Sequence, residues 1–128
     1  MEKSMSLFRR DMAKNSIKAI PLQDVDSAVF GGIGGYAELS PLNGLGHPCF
    51  YIRIINHCDE DIYVSYDGGT TNNDLVRTGT DLVLKFQNQA QPNNFVCKFP
   101  SNFKVWVESV SGLAGTGFVY LTAYYQEN

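Results

Sequence analysis

Hydrophobic and polar residues alternate in the middle of the chain. Ile52 and Ile54, for example, alternate with Tyr51 and Arg53. Clusters of Asn, Asp and Gly separate the alternating segments, and this combination is typical of antiparallel strands with one buried face. The pattern predicts three strands joined by two turns, at 50–55, 62–66 and 82–86.

Four further segments have strand-like composition. In one of them Val105 and Val107 alternate with Trp106, which predicts that the valines fill the core and that Trp106 faces away from it. An outward tryptophan on a small domain suggests an interface. The last segment is apolar on both faces, which is typical of a central strand or of one that faces an interface. The four segments are 36–39, 95–99, 103–108 and 118–125.

The number and spacing of these segments predict the fold class. About seven or eight strands recur about every ten residues, and 8 Phe, 7 Tyr and 12 Gly favour strands and tight turns. We therefore predict an all-β protein, a jelly-roll-like antiparallel β-sandwich with an extended N-terminal arm. The arm is assigned to residues 1–30 and a single sandwich domain to residues 31–128; periodicity does not separate a sandwich from a closed barrel.

Charge is divided unevenly between the N-terminal segment and the rest of the chain. Residues 1–18 hold five basic and two acidic side chains, a net charge of +3, whereas the remainder has a net charge of −6. A basic tail on an acidic body suggests contact with a neighbouring subunit or with a phosphate backbone. The alternative is a solvated, disordered terminus.

The N-terminal segment also contains apolar residues, in which disordered tails are usually poor. It is therefore interpreted as an arm that contacts neighbouring subunits, with nucleic-acid contact the less favoured alternative. On the body, Tyr and Trp offer large contact areas at small entropic cost. The predicted interface comprises Leu7, Phe8, Arg9, Arg10, Ile17 and Ile20 in the arm and Trp106, Tyr124 and Tyr125 on the body.

The three cysteines, Cys49, Cys58 and Cys97, form no CxxC pair. Disulfide frameworks of small secreted domains usually contain more cysteines, in even number, so these are predicted to be reduced structural thiols. The N-terminus has no apolar signal segment, and no apolar run is long enough to cross a membrane. The chain is therefore expected to be made in the cytoplasm and to have no membrane span.

Two histidines lie close to cysteines, His47 near Cys49 and His57 beside Cys58. A zinc site needs about four ligands in tetrahedral reach, but the two pairs flank a strand about 20 Å long. A cysteine–histidine nucleophile would also need an orienting acid and an oxyanion hole, and the sequence marks neither. No catalytic residue, metal ligand or cofactor site is therefore predicted.

Two patterns that look like ligand-binding motifs are assigned to turns instead. Residues 31–35, GGIGG, lack both the GxGxxG spacing and the Lys-Ser/Thr pair of a P-loop, so a flexible corner or bulge is favoured. The acidic run Asp59-Glu60-Asp61 lacks the EF-hand spacing. Because Asp and Asn at turns hydrogen-bond the local backbone, we favour turn formation over calcium binding.

Residues 54–68 contain Asn56, Asp59 and Asp61 and close with Ser-Tyr-Asp-Gly. This pattern, together with the motifs that follow it along the chain, resembles small virion structural proteins of tailed bacteriophages. Two departures are Val76-Arg-Thr-Gly79 in place of the usual Val-Pro-Ala-Gly, and an insertion at 87–94. The match covers about residues 50–125 and continues through Asp81-Leu-Val-Leu84, Lys104-Val-Trp-Val107 and Gly115-Thr-Gly-Phe-Val-Tyr-Leu-Thr-Ala-Tyr-Tyr125.

The resemblance implies a non-enzymatic structural protein of the virion that assembles by repeated subunit contacts. A ring, a collar or neck, a tail-associated part and a capsid vertex are all compatible with it. Its partners would be further copies of the chain and other virion proteins, such as capsid, portal or tail proteins.

Two other hypotheses belong to different functional classes. Jelly-roll domains often bind sugars through exposed aromatic side chains, so the chain is alternatively a carbohydrate- or receptor-binding module of a virion, using Tyr63, Trp106 and Tyr125. The less favoured hypothesis is a small hydrolase or metal enzyme that uses His47, His57 and the cysteines.

Overall fold

The computed structural model describes residues 17–31, 35–85 and 98–126. Within these residues the chain forms nine strands and one 3₁₀ turn, Ser27–Val29, and contains no α-helix. The strands are β1 (Ile17–Ala19), β2 (Gln23–Asp26), β3 (Ala37–Glu38), β4 (Tyr51–Cys58), β5 (Ile62–Ser65), β6 (Asp74–Val76), β7 (Asp81–Lys85), β8 (Trp106–Ser109) and β9 (Gly117–Gln126).

The strands form two antiparallel sheets. In the five-stranded sheet β9 lies between β4 and an edge made by β1 and β2, and β7 forms the other edge. The four-stranded sheet has the order β3-β8-β5-β6. The strand order is that of a jelly roll: β2-β9-β4-β7 in one sheet and β3-β8-β5-β6 in the other. The predicted all-β, jelly-roll-like antiparallel sandwich is therefore confirmed, with two separate sheets rather than a closed barrel.

The edge of the five-stranded sheet comes from residues that the sequence analysis placed in the arm. β1 and β2 pair with successive parts of β9, from Ile17 opposite Gln126 to Asp26 opposite Phe118. Pro21 lies between them, where its missing N–H interrupts the pairing. The sheet therefore begins at Ile17, upstream of the domain boundary predicted at residue 30, and residues 1–16 lie outside the described residues.

The core lies between the sheets and uses every second residue of the central strands. Ile52 and Ile54 of β4 are fully buried, as are Val105 and Val107, whereas Trp106 between the valines faces outward as predicted. Each fully buried aliphatic side chain stabilises the fold by about 1.5–3 kcal/mol.

Some strands differ from the predicted ones. β4 continues to Cys58, past the polar residues that were expected to end it, because Asn56 is buried with its side chain hydrogen-bonded. β6 was not predicted, since a strand of three residues is too short to show a period. Of the predicted strand at 95–99, the structure describes only residues 98 and 99, and Phe99 forms a single β-bridge with Cys49.

Candidate interaction surfaces

The outward side of the five-stranded sheet is rich in aromatic and apolar side chains. The register places Tyr124 opposite Tyr51 and Tyr120 opposite Ile55, so residues far apart in sequence share one surface. We call this surface the aromatic face. It comprises Phe118, Tyr120, Thr122 and Tyr124 of β9, Tyr51, Arg53, Ile55 and His57 of β4, Asp81, Val83 and Lys85 of β7, and Asp24 and Asp26 of β2.

The rings of the aromatic face pack against one another. Tyr51 and Tyr124 meet edge to face with their centroids 5.4 Å apart, and Phe118 lies 6.1 Å from Tyr120. The ring of His57 meets Tyr120 edge-on at 5.9 Å. Such pairs each contribute about 0.5–1.5 kcal/mol beyond their buried area. Because the rings hold each other in place, a partner that binds this face would lose little side-chain entropy there.

An ion pair lies on the same face. Nε of Arg53 donates a hydrogen bond to Oδ2 of Asp81 at 2.6 Å, and this bond raises the pKa of the guanidinium. Both side chains are partly exposed, so the pair adds little to the stability of the free chain. Its main effect is to neutralise two charges next to the apolar positions of β4 and β7.

The outward side of the four-stranded sheet has a different chemistry. Trp106 lies between Glu38 and Ser65 on the neighbouring strands, and Glu108 lies beside Tyr63. On this outward side the four strands carry two acidic residues, Glu38 and Glu108, and no basic one. We call this surface the acidic face; it comprises Glu38, Tyr63, Leu75, Trp106 and Glu108.

Tyr36 borders the acidic face. Its hydroxyl donates a hydrogen bond to Oδ1 of Asn72, and its ring lies so close to Gly69 that a Cβ there would be 2.9 Å from it. Burial raises the pKa of the Tyr36 phenol, and the carboxylates of Glu108 and Asp67 raise it further. Both carboxylates therefore lie near the Tyr36 phenol.

Asp67 is held as a carboxylate by the turn between β5 and β6. It accepts hydrogen bonds from the Ser65 hydroxyl at 2.6 Å and from the backbone N–H of Thr71 at 3.0 Å. These bonds, the one from Ser65 first, lower the pKa of Asp67 to about 2. The edge of the acidic face therefore keeps this negative charge at any physiological pH.

The body residues predicted to form the interface do not lie on one surface. Trp106 belongs to the acidic face and Tyr124 to the aromatic face. Tyr125 packs partly against the core, with its ring stacked on His47 at a centroid distance of 3.9 Å. Because successive residues of a strand point to opposite sides, Tyr124 and Tyr125 cannot contribute to the same face.

The predicted arm residues also separate. Ile17 is 64% exposed, but Ile20 is only 6% exposed and belongs to the core of its own domain, so it is not available to a neighbour. The remaining arm residues, Leu7, Phe8, Arg9 and Arg10, lie outside the described residues.

Sequence analysis missed most of the aromatic face. Phe118, Tyr120, Tyr51 and Ile55 were not predicted as contact residues, although the last strand was recognised as apolar on both faces. The missing information was the register between β4 and β9, which places Tyr120 beside Ile55 and His57 beside Phe118.

Asn56, the first residue of the motif singled out in residues 54–68, has a structural role. Its Nδ2 donates hydrogen bonds to the carbonyls of Glu60 at 2.8 Å and Val76 at 3.0 Å. Its Oδ1 accepts the backbone N–H of Cys58 at 3.0 Å. The fully buried side chain thus connects β4, the turn that follows it, and β6 in the other sheet.

The acids of the motif also bond to the backbone. Oδ1 of Asp59 accepts the N–H of Thr116 at 2.8 Å, and Oδ1 of Asp61 accepts the N–H of Thr78 at 2.9 Å. Both bonds reach segments that are distant in sequence, so they differ from the local turn bonds that the sequence analysis favoured over calcium binding. Across the described part of the chain, no three His, Cys, Asp or Glu side chains are grouped so that they could hold a metal ion.

The described cysteines are not activated. Cys49 and Cys58 are buried and unpaired. Burial raises the pKa of the Cys49 thiol to about 11 and also raises that of Cys58, so both stay protonated, unlike a nucleophilic cysteine. Cys97 lies outside the described residues.

Among the described residues, no helix is long and apolar enough to cross a membrane.

Comparison with known proteins adds little to this description. No family model and no curated protein matches the chain. A chain from the disulfide-linked pili of Bacillus endospore appendages aligns with 89% of this chain and 91% of its own length, at 12% identity and a TM-score of 0.48. A likeness at this level carries no argument, so the description of the fold rests on the strand order and register given above.

Proposed function

We propose that the chain is a structural subunit of a bacteriophage particle that assembles by repeated contacts, without catalytic activity. The observation that carries the proposal is the aromatic face. The solvent side of an antiparallel sheet normally bears polar side chains, but most outward positions of β4 and β9 bear Tyr, Phe, Ile or His. Surfaces of this kind mark interaction sites on small domains.

Two further observations support a structural role. The protonated, buried thiols offer no nucleophile. The motif residues Asn56, Asp59 and Asp61 stabilise turns, so the resemblance to virion proteins is carried by residues that maintain the shape of the subunit. The partners of the aromatic face would be other copies of the chain or other virion proteins.

The first test removes aromatic area from the face. In the double variant Phe118→Thr/Tyr120→Thr, threonine retains β-propensity while two large rings are lost. Each ring at the centre of an interface contributes about 2 kcal/mol or more, so losing both should raise the protein concentration needed for assembly about 1,000-fold, measured by light scattering. The matched control is Leu42→Thr, which removes a 78% exposed side chain from a loop and should leave assembly unchanged.

The second test concerns the particle itself. Mass spectrometry of density-purified phage particles from the source culture should detect the chain in a fixed ratio to the major capsid protein. Particles that carry all other structural proteins but lack this chain would contradict the proposal. Deletion of residues 1–16 should reduce incorporation, whereas residues 17–30 must be retained because β1 and β2 form the edge of the sheet.

A second candidate function is carbohydrate binding at the acidic face. Trp106 and Tyr63 lie there beside Glu38 and Glu108, the combination of rings and carboxylates that sugar sites use. Tyr125, the third predicted contact, is not part of this face. A glycan array probed with the full chain and with Trp106→Ala tests this candidate, which predicts binding that the substitution abolishes.

A further inference from the structure

We infer that the acidic face of one copy binds the N-terminal segment, residues 1–16, of a second copy. In this arrangement Arg9 and Arg10 lie against Glu38 and Glu108. This inference rests on the proposed assembly function and identifies the surface that holds the arm.

Charge complementarity is the first argument. The strands that form the acidic face carry acidic residues and no basic one, and Asp67 adds a carboxylate at its border. Residues 1–16 carry four basic and two acidic side chains, a net charge of +2. The aromatic face is less suitable as the receiver because it carries charges of both signs: Arg53 and Lys85 lie there with Asp81, and Asp24 and Asp26 of β2 lie beside Tyr120 and Phe118.

The second argument is the order of apolar and charged groups. On the face, Trp106 neighbours Glu38, and Tyr63 neighbours Glu108, so each acid lies beside an aromatic ring. In the arm, Leu7-Phe8 is followed directly by Arg9-Arg10. Arginine can pair with a carboxylate and stack on an aromatic ring at the same time, which makes it the better match than lysine for such a surface.

The third argument is the position from which the arm departs. Ile17 begins β1 at the edge of the five-stranded sheet, and the acidic face of the same copy lies on the outer side of the opposite sheet. The sixteen preceding residues span up to about 50 Å when extended, enough to reach a neighbouring copy. Docking on the acidic face of a second copy therefore avoids a path around the chain's own sandwich.

The test is a charge exchange in the full-length chain. Glu38→Lys/Glu108→Lys should raise the concentration at half-assembly about tenfold, equivalent to about 1.4 kcal/mol, and Arg9→Glu/Arg10→Glu should have a similar effect. Combining all four substitutions should restore assembly to within about threefold of the original chain, because the ion pairs re-form with reversed sign. The control Glu60→Lys changes a half-buried acid in the turn between β4 and β5, outside both faces, and should alter assembly less than twofold.

The fluorescence of Trp106 reports whether the acidic face is occupied, because Trp106 is the only tryptophan of the chain. Its emission should shift as the protein concentration passes through the assembly range, and the Arg9→Glu/Arg10→Glu variant should lose this shift. A shift independent of concentration would mean that the arm binds its own copy and would overturn the proposal. A saccharide that quenches Trp106 equally in the original chain and in that variant would assign the face to glycan binding and would also overturn it.

The outcomes separate this inference from the proposed function. If the chain assembles and the aromatic-face variant fails to, while all charge variants assemble normally, the assembly function stands and the arm inference is wrong. If the full-length chain stays monomeric and is absent from particles, both are wrong.

Discussion

Replacement of Asn56 by alanine should strongly destabilise the fold. The Asn56 side chain is fully buried, and it is hydrogen-bonded to groups from β4, the turn after β4, and β6. The carbonyl of Glu60 also accepts the Cys58 thiol, so it keeps a partner in the variant. The Val76 carbonyl and the Cys58 N–H lose the bonds that Asn56 makes to them.

The expected cost follows from these two backbone groups. Each buried group that loses its partner costs about 1–3 kcal/mol, so Asn56→Ala should lower the free energy of unfolding by about 2–6 kcal/mol. A domain of this kind has about 5–15 kcal/mol in total. The variant should therefore be close to unfolding at 37 °C.

Urea denaturation followed by Trp106 fluorescence measures the effect. At an m-value of about 1–3 kcal/mol/M, the midpoint should fall by about 2 M. Asn102→Ala is the control, because it removes the same side chain from an exposed turn and should stay within about 0.5 kcal/mol of the original chain. A loss below about 1 kcal/mol for Asn56→Ala would refute the reasoning that this side chain connects the two sheets.

Two further predictions concern turns. Gly117 has φ +104°, and a Cβ there would lie 2.5 Å from the carbonyl oxygen of His57, so Gly117→Ala should cost about 2–4 kcal/mol in urea denaturation. Gly46→Ala, at φ +83° in open space, should cost only about 1 kcal/mol, and equal costs would contradict the steric argument. Hydrogen bonds from Ser65 and Thr71 lower the pKa of Asp67 to about 2, which is below its value in the unfolded chain. The ionised Asp67 therefore stabilises the fold above about pH 4, and this stabilisation is lost as the pH falls to about 2. The stability difference between the original chain and Asp67→Asn should therefore shrink over that range, and a constant difference would show that the carboxylate is not selectively bonded.

Two of the motifs singled out in the sequence contact each other in the structure. Asp59 bonds the backbone of Thr116, and Gly117 follows in the same segment, where a side chain would collide with β4. Two motifs that are far apart in sequence therefore meet at one end of the sandwich. The residue types Asp59 and Gly117 are therefore explained by this contact between turns.

Local patterns were sufficient to predict the fold class and several turns. Apolar and polar residues alternate in β4, in β7 and in β8 before Ser109, and this pattern depends only on neighbouring residues. The turn preferences of Asp and Gly are equally local. The outward position of Trp106 could be predicted for the same reason, since its flanking valines are the buried ones.

The tertiary structure alone decided which strands pair and what each surface contains. β1 and β2 show little periodicity and are interrupted at Pro21, so only their hydrogen bonds to β9 reveal them as the sheet edge. The aromatic face exists because the register places Tyr51 beside Tyr124, and the acidic face because β3 and β5 flank β8. Such pairings depend on hydrogen bonds and packing between distant segments, and no short stretch of sequence contains that information.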